Sequence, residues 1–549
     1  MTNIRRALEA AAGVGGEGLY VEDVFSIFLY EGNNGPLDIV NGIDLAGEGG
    51  LVWTKKRSST QNHQLANTVQ GRSKTISANL ANPELVSPAT YDYKSFNSDG
   101  YTLGTAYNMN LVASSSTYVS WSFRKAPGFF DVVSYTGNGS SDREISHDLG
   151  STPGFILIKA LTEVGISWAV YHTSLGVGQE LILNNNSAAT SYGDLWVSVS
   201  ATKINVKSNA SVNKNAESYI AYLFANDAQK FGADGDESII KCGTFTPSGG
   251  NGEADVVLGW EPQYILYKPV GATEGWYVTD VIRGDSSYGG RANVAVLRAD
   301  TDAAEGITNL GWPTADGFHA FGMTATPTIY IAIRRPMKVP EAATEVFQAI
   351  TDTSSGKIET DTATFPLDMQ FTTFSSNSDA TYNSQINDRM RGISFSIGTG
   401  SLALQSSDGG AETASNSYLA FKANGKDVSR DDGWGTRTGL FLNFKRAAGF
   451  FDVVAYAGFT SPNPKALLHN LTVAPEMMII KRRDGGAIDW YVWSAALGVP
   501  GAPAGYMQLN TTAASSTGED QIKAVAATTF SLAANENRTS ASGNNYIAY

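Results

Sequence analysis

The sequence is poor in the residues that cross-link a chain or hold it in a membrane. It contains one cysteine, Cys242, among 549 residues, which excludes an intrachain disulfide and a cysteine-based metal cluster. Only 17% of the residues are charged, and the net charge is −14, so nucleic acid is not expected as the main partner. No apolar run reaches the roughly 20 residues that span a bilayer. Residues 1–16 also lack the continuous apolar core of a signal peptide.

Motifs of catalysis and of metal binding are missing as well. The histidines are far apart in the sequence, and none has the spacing of a metal site. They are His63, His147, His172, His319 and His469. No P-loop, dinucleotide fingerprint or Gly-x-Ser-x-Gly elbow occurs in a strand–helix context. We therefore predict no catalytic residue, no metal site and no cofactor, while a pair of glycosidase carboxylates stays open because such acids converge only in space.

An internal repeat is the main positive signal. Residues 125–137 and 446–458 share Gly-Phe-Phe-Asp-Val-Val, then Tyr, then Gly. A proline followed by an apolar run recurs at Pro153, Pro262 and Pro475, with a degenerate version at Pro366. A tryptophan with a glycine eight residues later follows three of these runs, at Trp168, Trp276 and Trp490, and His63 with Gly71 has the same spacing. The repeats predict an N-terminal segment at 1–27 and five units, at 28–124, 130–225, 238–335, 347–445 and 450–549.

Each unit is rich in strand and turn signals. Short runs alternate β-branched and aromatic residues, and Asn-Gly, Asp-Gly and Gly-Gly turns separate them. We therefore predict an all-β chain, a tandem array of about five antiparallel β-sandwich domains of jelly-roll-like type. The fourth unit is the most diverged. The closing run of the fifth unit stops at Tyr549, which leaves open a short last strand or a longer natural chain.

A short N-terminal helix is the one predicted exception to the β pattern. Ile4, Leu8, Ala11 and Ala12 recur on one helical face after a possible cap at Asn3, and Gly15-Gly16 ends the pattern. A helix this short is unstable alone in water, so its apolar face needs a partner. We favour attachment to an assembly, and docking on its own domain is the alternative.

Three sets of repeated side chains are candidates for either packing or binding. Trp168, Trp276 and Trp490 are interpreted as packing residues, with surface stacking on a ligand such as a sugar as the alternative. Lysines end the apolar run in four units, and we interpret them as strand-end gatekeepers or partners of a nearby acid. They are Lys55, Lys159, Lys268 and Lys481. The basic triplets 55–57 and 481–483 are interpreted as rim charges, with an acidic partner surface as the alternative, and Cys242 as a small buried apolar residue.

Several segments resemble a known group of proteins. Residues 19–25, 41–53, 56–59, Asn62-His63 and 96–101, together with the Tyr-Ile-Ala-Tyr closing runs, are similar to predicted virion proteins of marine tailed phages, including cyanophages. The resemblance extends through the repeats over essentially the whole chain. It implies a structural component of the particle, most often of the tail or its fibres, and it implies no catalytic residues.

This resemblance sets the functional expectation. We expect a non-enzymatic tail fibre or tail-attached adhesion protein that is assembled in the host cytoplasm. Its expected partners are other tail or virion proteins, copies of itself in a homotrimer, and a host-surface glycan or protein. A capsid-decorating protein is the first alternative. A polysaccharide-degrading tailspike is the second, although its usual β-helix has repeats of about 20–25 residues, far shorter than the units here.

Overall fold

The computed structural model describes most of the chain. The described residues are 18–88, 92–105, 108–112, 116–284, 293–352, 361–362, 365–375, 384–391, 401–415, 418–422, 425–429, 438–500, 505–517 and 521–549. The predicted helical face of Ile4, Leu8, Ala11 and Ala12 lies outside them. The described helices are short 3-10 turns, at Val21–Asp23, Ala343–Glu345, Arg389–Arg391 and Ala495–Leu497. No helix among the described residues is long and apolar enough to cross a membrane.

The strands fall into five consecutive sets, which we call units 1 to 5. Unit 1 contains β1 (Phe25–Glu31), β2 (Leu37–Val40), β3 (Gly50–Lys56), β4 (Gln64–Asn67), β5 (Lys74–Thr75), β6 (Leu85–Val86), β7 (Tyr93–Asn97), β8 (Gly100–Leu103) and β9 (Thr117–Arg124). Unit 2 contains β10 (Phe130–Thr136), β11 (Arg143–Ser146), β12 (Pro153–Ala160), β13 (Ala169–His172), β14 (Leu181–Ile182), β15 (Trp196–Val199), β16 (Lys203–Val206) and β17 (Ser218–Ala225). Unit 3 contains β18 (Ile240–Phe245), β19 (Ala254–Val257), β20 (Pro262–Pro269), β21 (Tyr277–Asp280), β22 (Asn293–Arg298), β23 (Gly306–Asn309), β24 (Gly311–Thr314), β25 (Gly317–Ala320) and β26 (Thr328–Arg334).

The last two units continue the series. Unit 4 contains β27 (Phe347–Asp352), β28 (Asp361–Thr362), β29 (Met369–Ser375), β30 (Gln385–Asp388), β31 (Ser401–Gln405), β32 (Thr413–Ser415), β33 (Tyr418–Lys422), β34 (Gly425–Ser429) and β35 (Thr438–Phe444). Unit 5 contains β36 (Val454–Ala457), β37 (Lys465–Leu468), β38 (Met477–Arg482), β39 (Tyr491–Ser494), β40 (Gly505–Tyr506), β41 (Ser516–Thr517), β42 (Ile522–Val525), β43 (Thr529–Leu532) and β44 (Asn545–Ala548).

All five units have the same strand order. In the main sheet the first strand pairs with the last, the last with the third, and the third with the fourth. In the smaller sheet the second strand pairs with the penultimate strand, which forms a hairpin with the strand before it. The all-β prediction is therefore confirmed. The strand sets follow the predicted repeats, although β1 begins at Phe25, before the predicted start of unit 1 at residue 28. The domain boundaries themselves stay a prediction.

The third strand of the main sheet is buried on both faces in units 1, 2 and 3, which explains the continuous apolar runs. In unit 1, Val52 on β3 packs inside the sandwich with Ile39 and Tyr101 of the smaller sheet. Its neighbours Leu51 and Trp53 point the opposite way, into a core that also contains residues of units 2 and 3. Because side chains alternate along a strand, one face of the sheet serves the unit and the other serves the contact between units.

Candidate functional site: the junctions between units

The repeated tryptophans lie at the junctions between consecutive units. The Trp168 indole Nε1–H of unit 2 donates to the Ser77 carbonyl of unit 1, at 3.0 Å. Trp276 of unit 3 donates in the same way to Ile182 of unit 2, at 2.9 Å, and Trp490 of unit 5 to Gln405 of unit 4, at 3.0 Å. All three tryptophans are at most 1% exposed. The alternative that they stack on a surface ligand is wrong, because neighbouring units cover the rings.

His63 occupies the tryptophan position in unit 1, and its partner lies in unit 3. The Trp53 Nε1–H donates to His63 Nδ1 at 2.9 Å, so the ring proton sits on Nε2. That Nε2 lies 3.0 Å from the carbonyl oxygen of Arg298. Burial lowers the pKa of His63 to about 3, which keeps the ring neutral and preserves this tautomer at ordinary pH. Unit 1 therefore contacts unit 3 as unit 2 contacts unit 1.

A main-chain hydrogen bond marks the same junctions independently. In each case an amide of one unit donates to a carbonyl that lies two residues beyond the repeated lysine position of the next unit. The four bonds are Glu84 N to Leu161 O at 2.9 Å, Ala189 N to Val270 O at 2.9 Å, Glu305 N to Arg57 O at 2.9 Å, and Glu412 N to Arg483 O at 2.8 Å. Three of them join units 1 to 2, 2 to 3 and 3 to 1, and the fourth joins units 4 to 5. Units 1–3 thus form a closed ring with pseudo-threefold arrangement, and units 4 and 5 repeat one of its junctions.

The repeated lysines are part of the junctions and not edge gatekeepers. They lie on interior strands and are at most 1% exposed. The Lys481 Nζ donates to Gly409 of unit 4 at 2.9 Å and to Ile488 at 2.8 Å, and Lys268 donates to Asn186 of unit 2 at 3.1 Å. Burial lowers the pKa of Lys55, Lys159, Lys268 and Lys481 to about 8. Among the described residues, these ammonium groups donate to backbone carbonyls and form no ion pair, so the predicted pairing with an acid is also wrong.

A buried ionic network seals the contact between units 3 and 1. Arg57 forms a two-pronged pair with Glu305, with nitrogen–oxygen distances of 2.8 and 2.9 Å. Arg283 bridges Glu305, at 3.2 Å, and Asp280, at 2.6 Å. The Trp121 Nε1–H of unit 1 also donates to Asp280, at 3.0 Å. Burial alone would raise the pKa of Glu305, but the two guanidinium groups, Arg57 first, lower it below its usual value.

The contact between units 4 and 5 contains the same network with equivalent residues. Arg391 pairs with Asp388 and reaches Glu412, and Arg483 binds Glu412 at 3.0 Å. The Tyr549 hydroxyl of unit 5 donates to Asp388 at 2.6 Å, where unit 1 uses Trp121. Arg57 and Arg483 belong to the two basic triplets. They are not rim charges, because their acidic partners, Glu305 and Glu412, lie in neighbouring units of the same chain. The sequence signal that could have found this network is Asp-x-x-Arg-Gly at 280–284 and 388–392.

A third cluster joins the ring to units 4 and 5. Arg446 binds Glu261 of unit 3 with both Nη atoms at 2.7 Å and Asp452 of unit 5 with Nε at 2.7 Å. Arg335 lies 3.1 Å from the same glutamate and 3.2 Å from the same aspartate. Burial opposes ionisation of Asp452, but Arg446 and Arg335 hold its pKa well below the usual range. Asp452 is the aspartate of the second Gly-Phe-Phe-Asp-Val-Val motif. The role of this motif copy is therefore to hold unit 5 against unit 3.

A cavity of about 230 Å³ lies beside this cluster, between unit 3 and unit 5. Trp312 and Asp316 line it on one side, and Val454 and Leu468 on the other. Across the residues that the structure covers, no group of three or more His, Cys, Asp or Glu is placed to hold a metal ion. Cys242 is buried, as predicted, and burial raises the pKa of its thiol.

The fold and the junctions define a class of protein: a set of repeated β-sandwich units joined through one recurring type of buried contact. The chain belongs to the family of the Domain of unknown function DUF7483, whose model matches residues 21–320 and 372–549. These segments contain the tryptophans, His63 and both ionic networks of the junctions. No curated protein matches the chain significantly.

Proposed function

We propose that the chain is a non-enzymatic structural protein of a bacteriophage virion, a tail fibre or tail-attached adhesion protein. The observation that carries this proposal is the junction repeated four times, with the same main-chain bond each time and an equivalent buried ring donor, which is a tryptophan at three junctions and His63 at the fourth. Each junction removes apolar and ionic groups from water, as a permanent interface does. Such construction suits a part that must stay rigid, and the sequence resemblance to phage virion proteins supplies the setting.

Adhesion would use the outward-facing smaller sheets. The last residue of the second strand is an exposed aliphatic side chain in units 1, 3 and 5, at Val40, Val257 and Leu468. The chain presents such a position in three of its five units, so weak contacts with a host-surface glycan or protein would add through avidity. A homotrimer, as expected for a fibre, would multiply them again.

Attachment to the particle is assigned to the N-terminal segment on its sequence pattern. Replacing Ile4 and Leu8 by Asp should abolish incorporation of the chain into virions, because each side chain would lose about 2–3 kcal/mol of burial. The β-units should stay folded in this variant, as their circular dichroism and melting temperature would show. Packaging at normal copy number would place the attachment in a β-unit.

A capsid-decorating role is the second candidate, and the pseudo-threefold ring favours it because such a body fits a threefold axis. Purified virions that carry the chain, labelled with an antibody against it and imaged by electron microscopy, distinguish the two. We expect label on the tail, and label over the head supports decoration. Label absent from virions but abundant in the lysate would refute both. Release of reducing ends from host polysaccharide by the purified chain would instead support a tailspike enzyme.

A further inference from the structure

One face of unit 5 is left uncovered although its equivalents are buried. At every junction, a fixed set of positions on the earlier unit is covered by the unit that follows it in the ring or pair. Strand register identifies these positions in unit 5 as Met477, Met507 and Leu509. They are 54%, 42% and 41% exposed.

The equivalent side chains in the other units are buried. For Met507 they are Ile76, Leu181, Leu297 and Leu404, and none is more than 1% exposed. For Met477 they are Leu51, Phe155, Tyr264 and Met369, and none is more than 7% exposed. For Leu509 they are Ala78, Leu183 and Ala299, each at 0%, and Ser406 of unit 4, at 7%. The exposure in unit 5 therefore follows from the lack of a covering unit in the described structure, and not from a change to polar residues.

The backbone atoms that would receive such a unit are also at the surface. The carbonyl that accepts the ring N–H at the other junctions belongs in unit 5 to Gln508, which is partly exposed. The amide that donates to the incoming unit belongs to Ser515, which is exposed. Both the apolar face and its hydrogen-bonding atoms thus match the four junctions already present.

We propose that this face of unit 5 is a docking site for a further β-sandwich unit of the same repeat. The incoming unit is defined by its chemistry. It carries a tryptophan or histidine whose ring N–H donates to Gln508, and a central strand whose carbonyl accepts from Ser515. It is continuous with the established interface, because it extends the 4-to-5 junction by one step.

A second copy of this chain does not offer such a unit. The ring-donor faces of units 1, 2, 3 and 5 are already covered, by units 3, 1, 2 and 4 in turn. In unit 4 the tryptophan and lysine positions hold Ser384 and Thr373, which bond to each other at 2.9 Å. The occupant is therefore a unit other than these five. The proposal concerns architecture and holds independently of the proposed virion role.

The test supplies such a unit to the full chain. Tyr549 of unit 5 is equivalent to Tyr222 of unit 2. A second copy of residues 223–335 is therefore appended after Tyr549. Its first residues complete the closing strand of unit 5 as they do that of unit 2, and the rest adds a copy of unit 3. Hydroxyl-radical oxidation read by mass spectrometry then reports exposure of Met477 and Met507. We expect both methionines to oxidise readily in the original chain. In the extended chain, their oxidation rate should fall several-fold, to the level of the buried Met109.

Two controls decide the outcome. An extension carrying Trp276→Asp in the appended copy should leave Met477 and Met507 reactive. Unchanged oxidation with the unaltered extension, while the appended copy resists limited proteolysis, would overturn the proposal. Protection of both methionines in the original chain as its concentration rises, together with a dimer mass in light scattering, would overturn it too, because the occupant would then be a second copy.

Discussion

At the scale of single residues, the junction tryptophans combine packing with one specific hydrogen bond. Trp168 fills space between units 1 and 2, and its fully buried indole N–H donates to the carbonyl of the half-buried Ser77. A polar group at a junction that loses its hydrogen-bond partner is costly, so the bond matters more for what its loss leaves behind than for its own strength.

Trp168→Phe tests this contribution. The substitution keeps an aromatic ring but removes the N–H, and we expect a loss of about 1–3 kcal/mol in the free energy of unfolding. Denaturant unfolding of the full chain measures it. Tyr192→Phe, at a side chain that is 79% exposed, is the control and should change little. Equal stability of the two variants would mean that the junction bond is not needed.

The buried lysines predict a pH dependence of stability. Their pKa is about 8 in the folded chain and about 10.5 when unfolded, so between these values the unfolded chain binds more protons. The free energy of unfolding should therefore rise above pH 8. As the pH approaches 10, the ordinary pKa of tyrosine, the rise should stop and reverse, because burial raises the pKa of tyrosines such as Tyr222 and Tyr264 and the unfolded chain ionises first.

Melting temperature against pH, compared between the parent and Lys159→Met, checks this prediction. Between pH 8 and 10, the melting temperature of the variant should change less with pH than that of the parent, whatever the variant's absolute stability. Lys203→Met, at a largely exposed side chain, should keep the parent's slope. A parent curve that falls steadily from pH 8 would contradict the burial of the four ammonium groups.

At the scale of elements, the ionic networks tie strands of different units together. Glu305 holds Arg57 of unit 1 and Arg283 of unit 3, so Glu305→Gln would leave two guanidinium groups without their shared carboxylate. We expect a loss of about 3–5 kcal/mol, as when one partner of a buried pair is removed. Glu144→Gln, in the exposed pair with Lys203, should cost less than about 1 kcal/mol. Chemical denaturation measures the free energy of unfolding of both variants. Similar losses in the two variants would argue against a buried network.

The strands could be predicted from the sequence, but the junctions could be predicted only in part. Runs such as Phe155–Lys159 could be predicted as strands buried on both faces because β-branched and apolar residues leave little choice. What covered the second face could not be predicted, since burial between units depends on contacts far apart in sequence. The sequence pattern alone therefore favours an edge role for the lysines. His63 illustrates the same limit, because its spacing marked it as the tryptophan equivalent while its partner Arg298 lies 235 positions away.

At the scale of the whole molecule, the closed ring replaces the expected string of separate domains. The largest apolar core contains residues of units 1, 2 and 3 together, for example Trp121, Phe224 and Tyr264. Units joined in this way should unfold cooperatively and not one at a time, unlike an open repeat array in which each unit contacts only its sequence neighbours. The ring depends on the contact between unit 3 and unit 1, which an open string would not make.

A disulfide across that contact tests it most directly. The Gln61 amide of unit 1 donates to the Asp302 carbonyl of unit 3 at 2.8 Å, so cysteines at these two positions would be neighbours. In a Cys242→Ala background, Gln61→Cys with Asp302→Cys should form an intrachain disulfide on mild oxidation, seen as a linked peptide by mass spectrometry. Gln61→Cys paired with Ser515→Cys in unit 5 should not. The oxidant is kept at concentrations that leave the control pair reduced. A folded double variant in which residues 61 and 302 then stay unlinked would contradict the ring.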